Sequence, residues 1–282
     1  MCMAIAEELS RKRNALEREL RAMGRVLVAY SGGADSAFLA WAAHRALGAE
    51  MLAVIADSPS LARYQLADAV AFAREQNIPL EIIHTQELSR PEYIRNDAAR
   101  CFHCKDELFS MMADYAAAHN FQTIVYGINV DDKSDFRPGQ AAAVQHNVAA
   151  PLLKAGLGKE EIRTLAREAG LRIWDKPASA CLSSRIEYGR EVTPEALAMV
   201  EQGEDALRRL GFRQFRVRHH GDIARIEIAR DEMLRAMTPE MAAEFTQIFK
   251  TLGFKFVTLD LEGFRSGSMN ALLPAEQIVR AG

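Results

Sequence analysis

With 282 residues, 49% of them hydrophobic, the chain holds enough apolar material for one sizeable core and a smaller second one. A formal net charge of −3 offers nucleic acid no global attraction, so a small anionic substrate held by a few local arginines is expected instead. No apolar run approaches the roughly 18–20 residues that span a bilayer, and the amino terminus reads as a charged helix rather than a signal peptide. A soluble cytoplasmic protein, with neither a membrane nor nucleic acid as partner, is the expectation.

Taken in chain order, residues 5–23 place apolar side chains at helical spacing among charges, predicting an amphipathic helix. Val26 to Tyr30 is a buried strand that runs into Ser31-Gly32-Gly33, after which Ala37 to Leu47 returns to helical periodicity. The unit then repeats. Met51 to Ala56 is a strand, Leu61 to Gln76 a helix, Leu80 to His84 a strand, Asp106 to His119 a helix and Thr123 to Tyr126 a strand. This alternation predicts an α/β fold, a parallel sheet with helices on both faces, with ligands at the carboxyl ends of the strands. Ser31, Asp57 and Gly127 each stand at such an end.

Lys159 to Ala169 is a helix closed by Gly170, and Trp174 to Arg185 is polar and aperiodic, as functional loops are. Beyond it the pattern changes. Thr193-Pro194 opens a helix to about Leu210. Phe215 to Arg218 and Ile223 to Ile228 are strands flanking a hairpin at His219-His220-Gly221-Asp222, followed by a helix over Pro239 to Leu252 and a strand over Phe256 to Leu261. Two domains are expected, residues 1–185 binding a nucleotide and residues 186–282 forming a smaller α+β domain.

The string Ser31-Gly-Gly-Ala-Asp-Ser36 between strand and helix exposes backbone N–H groups at a positive helix end, where a phosphate is stabilised. Asp35 is repelled by phosphates unless a cation stands between them, and magnesium is the natural bridge. The bland reading is a helix start favoured by Asp35 and Ser36. The Walker lysine is absent. The string resembles the pyrophosphate loop of the adenine-nucleotide α-hydrolases, which include GMP, NAD and asparagine synthetases and tRNA-thiolating enzymes; in that group ATP is split between its α- and β-phosphates. By the same resemblance Asp57 helps hold the nucleoside.

Four further strings narrow the match: Arg100-Cys-Phe-His-Cys-Lys105, Gly127-Ile-Asn-Val-Asp-Asp132 with Asp135-Phe-Arg-Pro-Gly139, Asp175-Lys-Pro-Ala-Ser-Ala-Cys-Leu-Ser-Ser-Arg185, and Gly263-Phe-Arg-Ser-Gly-Ser-Met-Asn270. Together they resemble the LarE-type ATP-dependent sulfur transferases, over about residues 10–275. The resemblance implies synthesis of a nickel-pincer nucleotide cofactor: a carboxylate of a pyridinium dicarboxylate mononucleotide is adenylated, then exchanged for a thiocarboxylate, with Asp35 and Cys181 as catalytic residues. It also suggests a homo-oligomer. The rivals are a tRNA-thiolating enzyme, an amidating synthetase of the same fold and a non-enzymatic nucleotide sensor.

Some members of that family give up the sulfur of the cysteine matching Cys181, whereas others add a C-x-x-C and bind a [4Fe-4S] cluster. The trio Cys101, Cys104 and Cys181 resembles the cluster type, and three thiolates would leave one iron open to carry sulfide. A Cys₃His zinc site including His103, a redox or persulfide pair, and plain structural thiols are the competing readings. Cys2 is taken as incidental. On a strand, Arg216 and Arg218 project to one side and suit an anion, with Glu227 as an internal salt-bridge partner in the bland alternative. The resemblance adds Arg265 to this substrate set, and Ser184, Arg185 and Glu204 as weaker members. Ser183 stands beside them. Asp131, Asp132 and Arg137 are expected to order the loop near the nucleotide.

Overall fold

The computed structural model describes residues 2–134, 138–177, 180–265 and 267–269. Helix α1 (Cys2–Ala22) leads into β1 (Val26–Ala29), α2 (Ala34–Leu47), β2 (Met51–Asp57), α3 (Arg63–Glu75) and β3 (Leu80–His84). A short α4 (Pro91–Ile94), the long α5 (Arg100–His119), β4 (Thr123–Tyr126), the short α6 (Gly139–Gln145) and α7 (Pro151–Lys154), and α8 (Lys159–Glu168) complete the first layer set. The strands form a parallel sheet in the order β3-β2-β1-β4. Both faces of β1 are buried, as expected of a central parallel strand. Val26 and Val28 pack with α1, α2 and α8 through Leu16, Phe38 and Ile162. Leu27 points the other way, toward Phe109 and Met112 of α5.

The order of the strands reverses direction at β1. β2 and β3 extend to one side and β4 to the other. Crossover connections leave a crevice at such a point, outside the carboxyl ends of the strands. The glycine loop after β1 and Gly127 after β4 both open into it.

The second unit contains α9 (Pro194–Arg209), β5 (Phe215–His220), β6 (Ile223–Ile228), the short α10 (Met233–Ala236), α11 (Pro239–Thr251) and β7 (Phe256–Leu259). Thr193 accepts a hydrogen bond from Ala196 N and Thr238 one from Met241 N, so α9 and α11 both begin at a Thr cap followed by Pro. β5 and β6 pair antiparallel, and β7 joins β6 in parallel. Phe215, Val217, Ala224 and Ile226 turn inward onto Leu207, Phe245 and Phe249. The alternate positions, Arg216, Arg218, Arg225 and Glu227, therefore share the opposite face. A third apolar cluster, with Ala62, Tyr93, Leu182, Ile186, Val192 and Leu197, packs between the two units.

Three elements differ from the sequence expectation. Helix α5 begins at Arg100, not Asp106, because Asp97 turns the preceding chain by accepting from Ala99 N at 2.8 Å; the C-x-x-C therefore lies in its first two turns. His219 and His220 belong to β5, paired with Ala224 and Ile223, so the hairpin turn is only Gly221-Asp222, with Gly221 at φ 66°. Strand β7 ends at Leu259, where Asp260 bonds its amide to Ile226 O and opens a turn. Among the described residues, no helix is long and apolar enough to cross a membrane.

Candidate functional site

The loop after β1 is braced from within. Ser36 Oγ accepts from Ser31 N at 3.2 Å, lies 3.0 Å from Ser31 Oγ and donates to Gly33 O at 3.1 Å. Ser36 is buried, and its hydroxyl shapes the loop. Gly32 takes φ +73°, and a β-carbon there would stand 2.6 Å from Ala69 Cβ on α3. Gly127 is constrained more tightly still: its β-carbon would meet Ser36 N at 2.8 Å and Ser36 Cα at 2.9 Å. The end of β4 thus lies against the first turn of α2.

Asp35, in that first turn, accepts from Asn129 Nδ2 at 3.1 Å. Asn129 is fully buried, and its Oδ1 accepts from the amides of Asp131 and Asp132 at 2.9 and 3.3 Å. Asp131 in turn accepts from Lys159 N at the start of α8. Asp131 and Asp132 thus stand where ordering of this loop was expected; Arg137 and Asp135 lie outside the described residues. Asp57, at the end of β2, is held by Arg63 of α3, which also donates to Ser58 O and Leu61 O at 2.7 Å each. Lys176 had no expected role. Its Nζ donates to Gly32 O at 2.8 Å and pairs with Asp68 of α3.

The second group contains the thiols. Cys101, Cys104 and Cys181 are free, Cys101 exposed and the other two half-buried. Burial pushes the Cys104 thiol far up, and the negative fields of Glu87, Cys181 and Cys101 add to the effect. Burial opposes the Arg100 charge, but the fields of Cys101 and Cys181 outweigh it and hold the guanidinium above its ordinary range. The fields of Cys101 and Cys181 therefore both reach the Cys104 thiol. Among the described residues, no three His, Cys, Asp or Glu side chains converge on a point where they could hold a metal ion.

The segment after Cys181 is bound to both units. Leu182 N donates to Ser60 O at 2.8 Å, Arg100 donates to Ser183 O at 2.8 Å, and Tyr93 OH meets Ser183 Oγ. Asn96 Nδ2 donates to the carbonyls of Ile186, Glu187 and Arg190. Tyr93, Asn96 and Arg100 were not legible as site residues, because their partners lie some 90 residues away in sequence. Ser184 Oγ donates to Cys181 O at 2.7 Å.

Arg185, expected near the substrate phosphate, is 1% exposed. Its guanidinium is forked onto Glu204, at 2.9 and 3.3 Å, and donates to Ala180 O, Cys181 O and Ser184 Oγ. Here it shapes the Cys181 loop from inside the protein. Glu204 is correspondingly its buried counter-ion.

The third group lies on the outer face of the second sheet. Glu227 is fully buried and accepts from Arg218 Nη2 at 2.8 Å, Arg225 Nη2 at 3.2 Å and Ser268 Oγ at 2.7 Å. Its register partner Arg216 turns instead over the Phe264 ring, 5.0 Å from the centroid. Burial, with Arg185 next, pushes the Arg216 guanidinium down to about 10. Arg265 reaches Asp260 at 3.4 Å, and Arg225 reaches the same oxygen at 3.1 Å. Among the described residues, the Nε groups of Arg218, Arg225 and Arg265 find no hydrogen-bond partner. Arg218 also donates to Ser184 O at 3.2 Å, which joins this face to the Cys181 segment. Among the described residues, Arg218 and Arg225 are set against Glu227, Arg225 and Arg265 against Asp260, and Arg265 also against Glu262.

No protein-family model matches the chain. It is 41% identical over 251 residues to an uncharacterized protein of Synechocystis sp., covering 89% of this chain and 94% of that one. It is 30% identical over 264 residues to an uncharacterized protein of Methanocaldococcus jannaschii, covering 94% of this chain and all of the other. A third relative, the pyridinium-3,5-bisthiocarboxylic acid mononucleotide synthase of Lactiplantibacillus plantarum, is 34% identical over 271 residues, 96% of this chain and 98% of that protein. Identity at that level, sustained from end to end through both sheets and the segment that joins them, shows that the chain belongs to the family of that synthase, the LarE-type sulfur transferases.

Proposed function

We propose that this protein is an ATP-dependent, AMP-forming sulfurtransferase of nickel-pincer nucleotide cofactor synthesis, acting on a carboxylate of a pyridinium dicarboxylate mononucleotide. The observation that carries the reading is the attachment of the sulfur-bearing segment to both other groups: Leu182 bonds to Ser60 behind β2, and Ser184 O accepts from Arg218 of the arginine face. The Cys181 segment thereby ties the chain beyond β2 to the arginine face.

In this reading the amides of the α2 N-terminus receive the pyrophosphate of ATP, and Asp57 orients the nucleoside. Asp35, steadied by Asn129, fits a magnesium ion, because a carboxylate beside phosphates is stable only with a cation between them. The substrate's own phosphate and spare carboxylate bind at the face that carries Arg216, Arg218 and Arg265. One carboxylate oxygen then attacks the α-phosphorus, and pyrophosphate departs with the electrons of the α–β bridge. The acyl adenylate carries AMP as leaving group, far better than an oxide. Hydrosulfide adds at the carbonyl carbon, and collapse expels AMP and, with loss of the S–H proton to solvent, leaves the thiocarboxylate. Arg185 and Ser184 hold the backbone of Cys181 in place for that step.

Cys101, Cys104 and Cys181, three free thiols of which Cys104 lies in the field of the other two, are the residues that would hold a [4Fe-4S] cluster, and such a cluster would supply an open iron position for sulfide. The test is anaerobic incubation of iron- and sulfide-reconstituted protein with ATP, magnesium and the pyridinium dicarboxylate mononucleotide. AMP, pyrophosphate and a thiocarboxylate product are expected from the wild type, and Cys181→Ala is expected to lose the thiocarboxylate. Thiolation of tRNA alone, or amidation without any sulfur product, would overturn the assignment.

A further inference from the structure

The loop Ser31 to Ser36 lacks the lysine with which Walker loops meet phosphate charge, and it carries the negative Asp35 instead. The structure brings a lysine to it from elsewhere. Lys176 lies 144 residues downstream of Gly32, yet its Nζ donates to Gly32 O at 2.8 Å. The side chain is largely buried and pairs with Asp68. Its backbone is fixed as well: Lys176 N donates to Ile173 O at 3.2 Å, and Arg163 Nη2 donates to Lys176 O at 2.8 Å.

The two ends of a trans peptide group point in opposite directions. With the Gly32 carbonyl held by an ammonium on one side, the Gly33 N–H of the same peptide is turned to the other, where its contact with Ser31 Oγ is long, at 3.4 Å. A charge-assisted bond to the carbonyl also polarises the group and strengthens that N–H as a donor. Gly32 cannot easily reach this orientation with any other residue, since φ is +73° and a β-carbon would strike Ala69.

We propose that Lys176 is a positioning residue for the pyrophosphate end of ATP: it fixes and polarises the Gly32–Gly33 peptide, supplying from behind the loop the cation that the loop itself lacks. The inference rests on the nucleotide reading given above. It also distinguishes the phosphate end of the ligand from the nucleoside end, because Lys176 bears on the loop and not on Asp57.

The test is calorimetric titration of the full chain with magnesium pyrophosphate and, separately, with AMP. Lys176→Met is expected to weaken pyrophosphate by about tenfold or more, the size of one charged hydrogen bond, while AMP affinity holds. Lys176→Arg is expected to recover most of the loss, and Lys176→Gln, a neutral variant that keeps a donor, to fall between. The Gln variant also serves if the Met variant does not fold. Equal pyrophosphate affinity in wild type and the neutral variants overturns the proposal. So does an equal loss for pyrophosphate and AMP, which would make Lys176 a structural tether only. A wild type that binds neither pyrophosphate nor ATP overturns the nucleotide reading, and this inference with it.

Discussion

Gly127 shows how much one missing β-carbon decides here. The atoms a side chain would meet are the amide nitrogen and Cα of Ser36, backbone that cannot swing aside. Gly127→Ala must therefore push the end of β4 away from the first turn of α2. Overpacking of this kind costs about 1–3 kcal/mol, so the melting temperature should drop and ATP affinity fall with it. Thermal denaturation beside ATP titration checks this, and an unchanged affinity would mean that the crevice between β1 and β4 is not the nucleotide site. Arg185 teaches the complementary lesson. A guanidinium four residues from a cysteine looks like a substrate ligand in sequence, but its fork onto the buried Glu204 makes it part of the scaffold that shapes the Cys181 loop.

Helix α3 is coupled to the loop side of the molecule through one carboxylate. Asp68 pairs with Lys176 and with Arg172, which also reaches Glu75. Burial works against its charge, but the hydrogen bonds and fields of Lys176 and Arg172 prevail and hold the carboxyl below its ordinary value. A carboxylate whose folded pKa is depressed contributes stability that is present above the unfolded value and is lost as pH falls through the folded one. The difference in melting temperature between wild type and Asp68→Asn should therefore stay level from about pH 8 to 5 and shrink below about pH 4. A gap that widens on acidification would contradict the pairing.

On the scale of the molecule, the two sheets do not read as independent bodies. Leu182, Ile186 and Val192 pack with Tyr93 and Ala62 on one side and Leu197 and Val200 on the other, and Ile186 bridges to His219. A shared apolar cluster favours joint unfolding. Both tryptophans, Trp41 and Trp174, lie in the first 185 residues, so their fluorescence follows one unit while far-ultraviolet circular dichroism follows both. The two urea transitions are expected to coincide. An early dichroism transition that leaves the tryptophans unmoved would instead favour two separately folding domains divided near residue 185.

Much of the architecture was legible from periodicity. The alternation of short apolar runs and amphipathic stretches predicts a parallel sheet, and Ser-Gly-Gly between strand and helix marks its ligand end, because such patterns depend on neighbours only a few residues apart. The alternation of β5 likewise put Arg216 and Arg218 on one face. What local pattern could not reach was the partner of each charge. That Glu227 binds Arg218 and Arg225 rather than its register neighbour, that Arg185 is spent on Glu204, and that Lys176 closes on Gly32 depend on contacts made across the fold. The sequence by itself determined which chemical groups this protein carries and the element on which most of them stand. Only the tertiary structure decided which of those groups neutralise one another, since in a buried site that is set by distance through space and not along the chain.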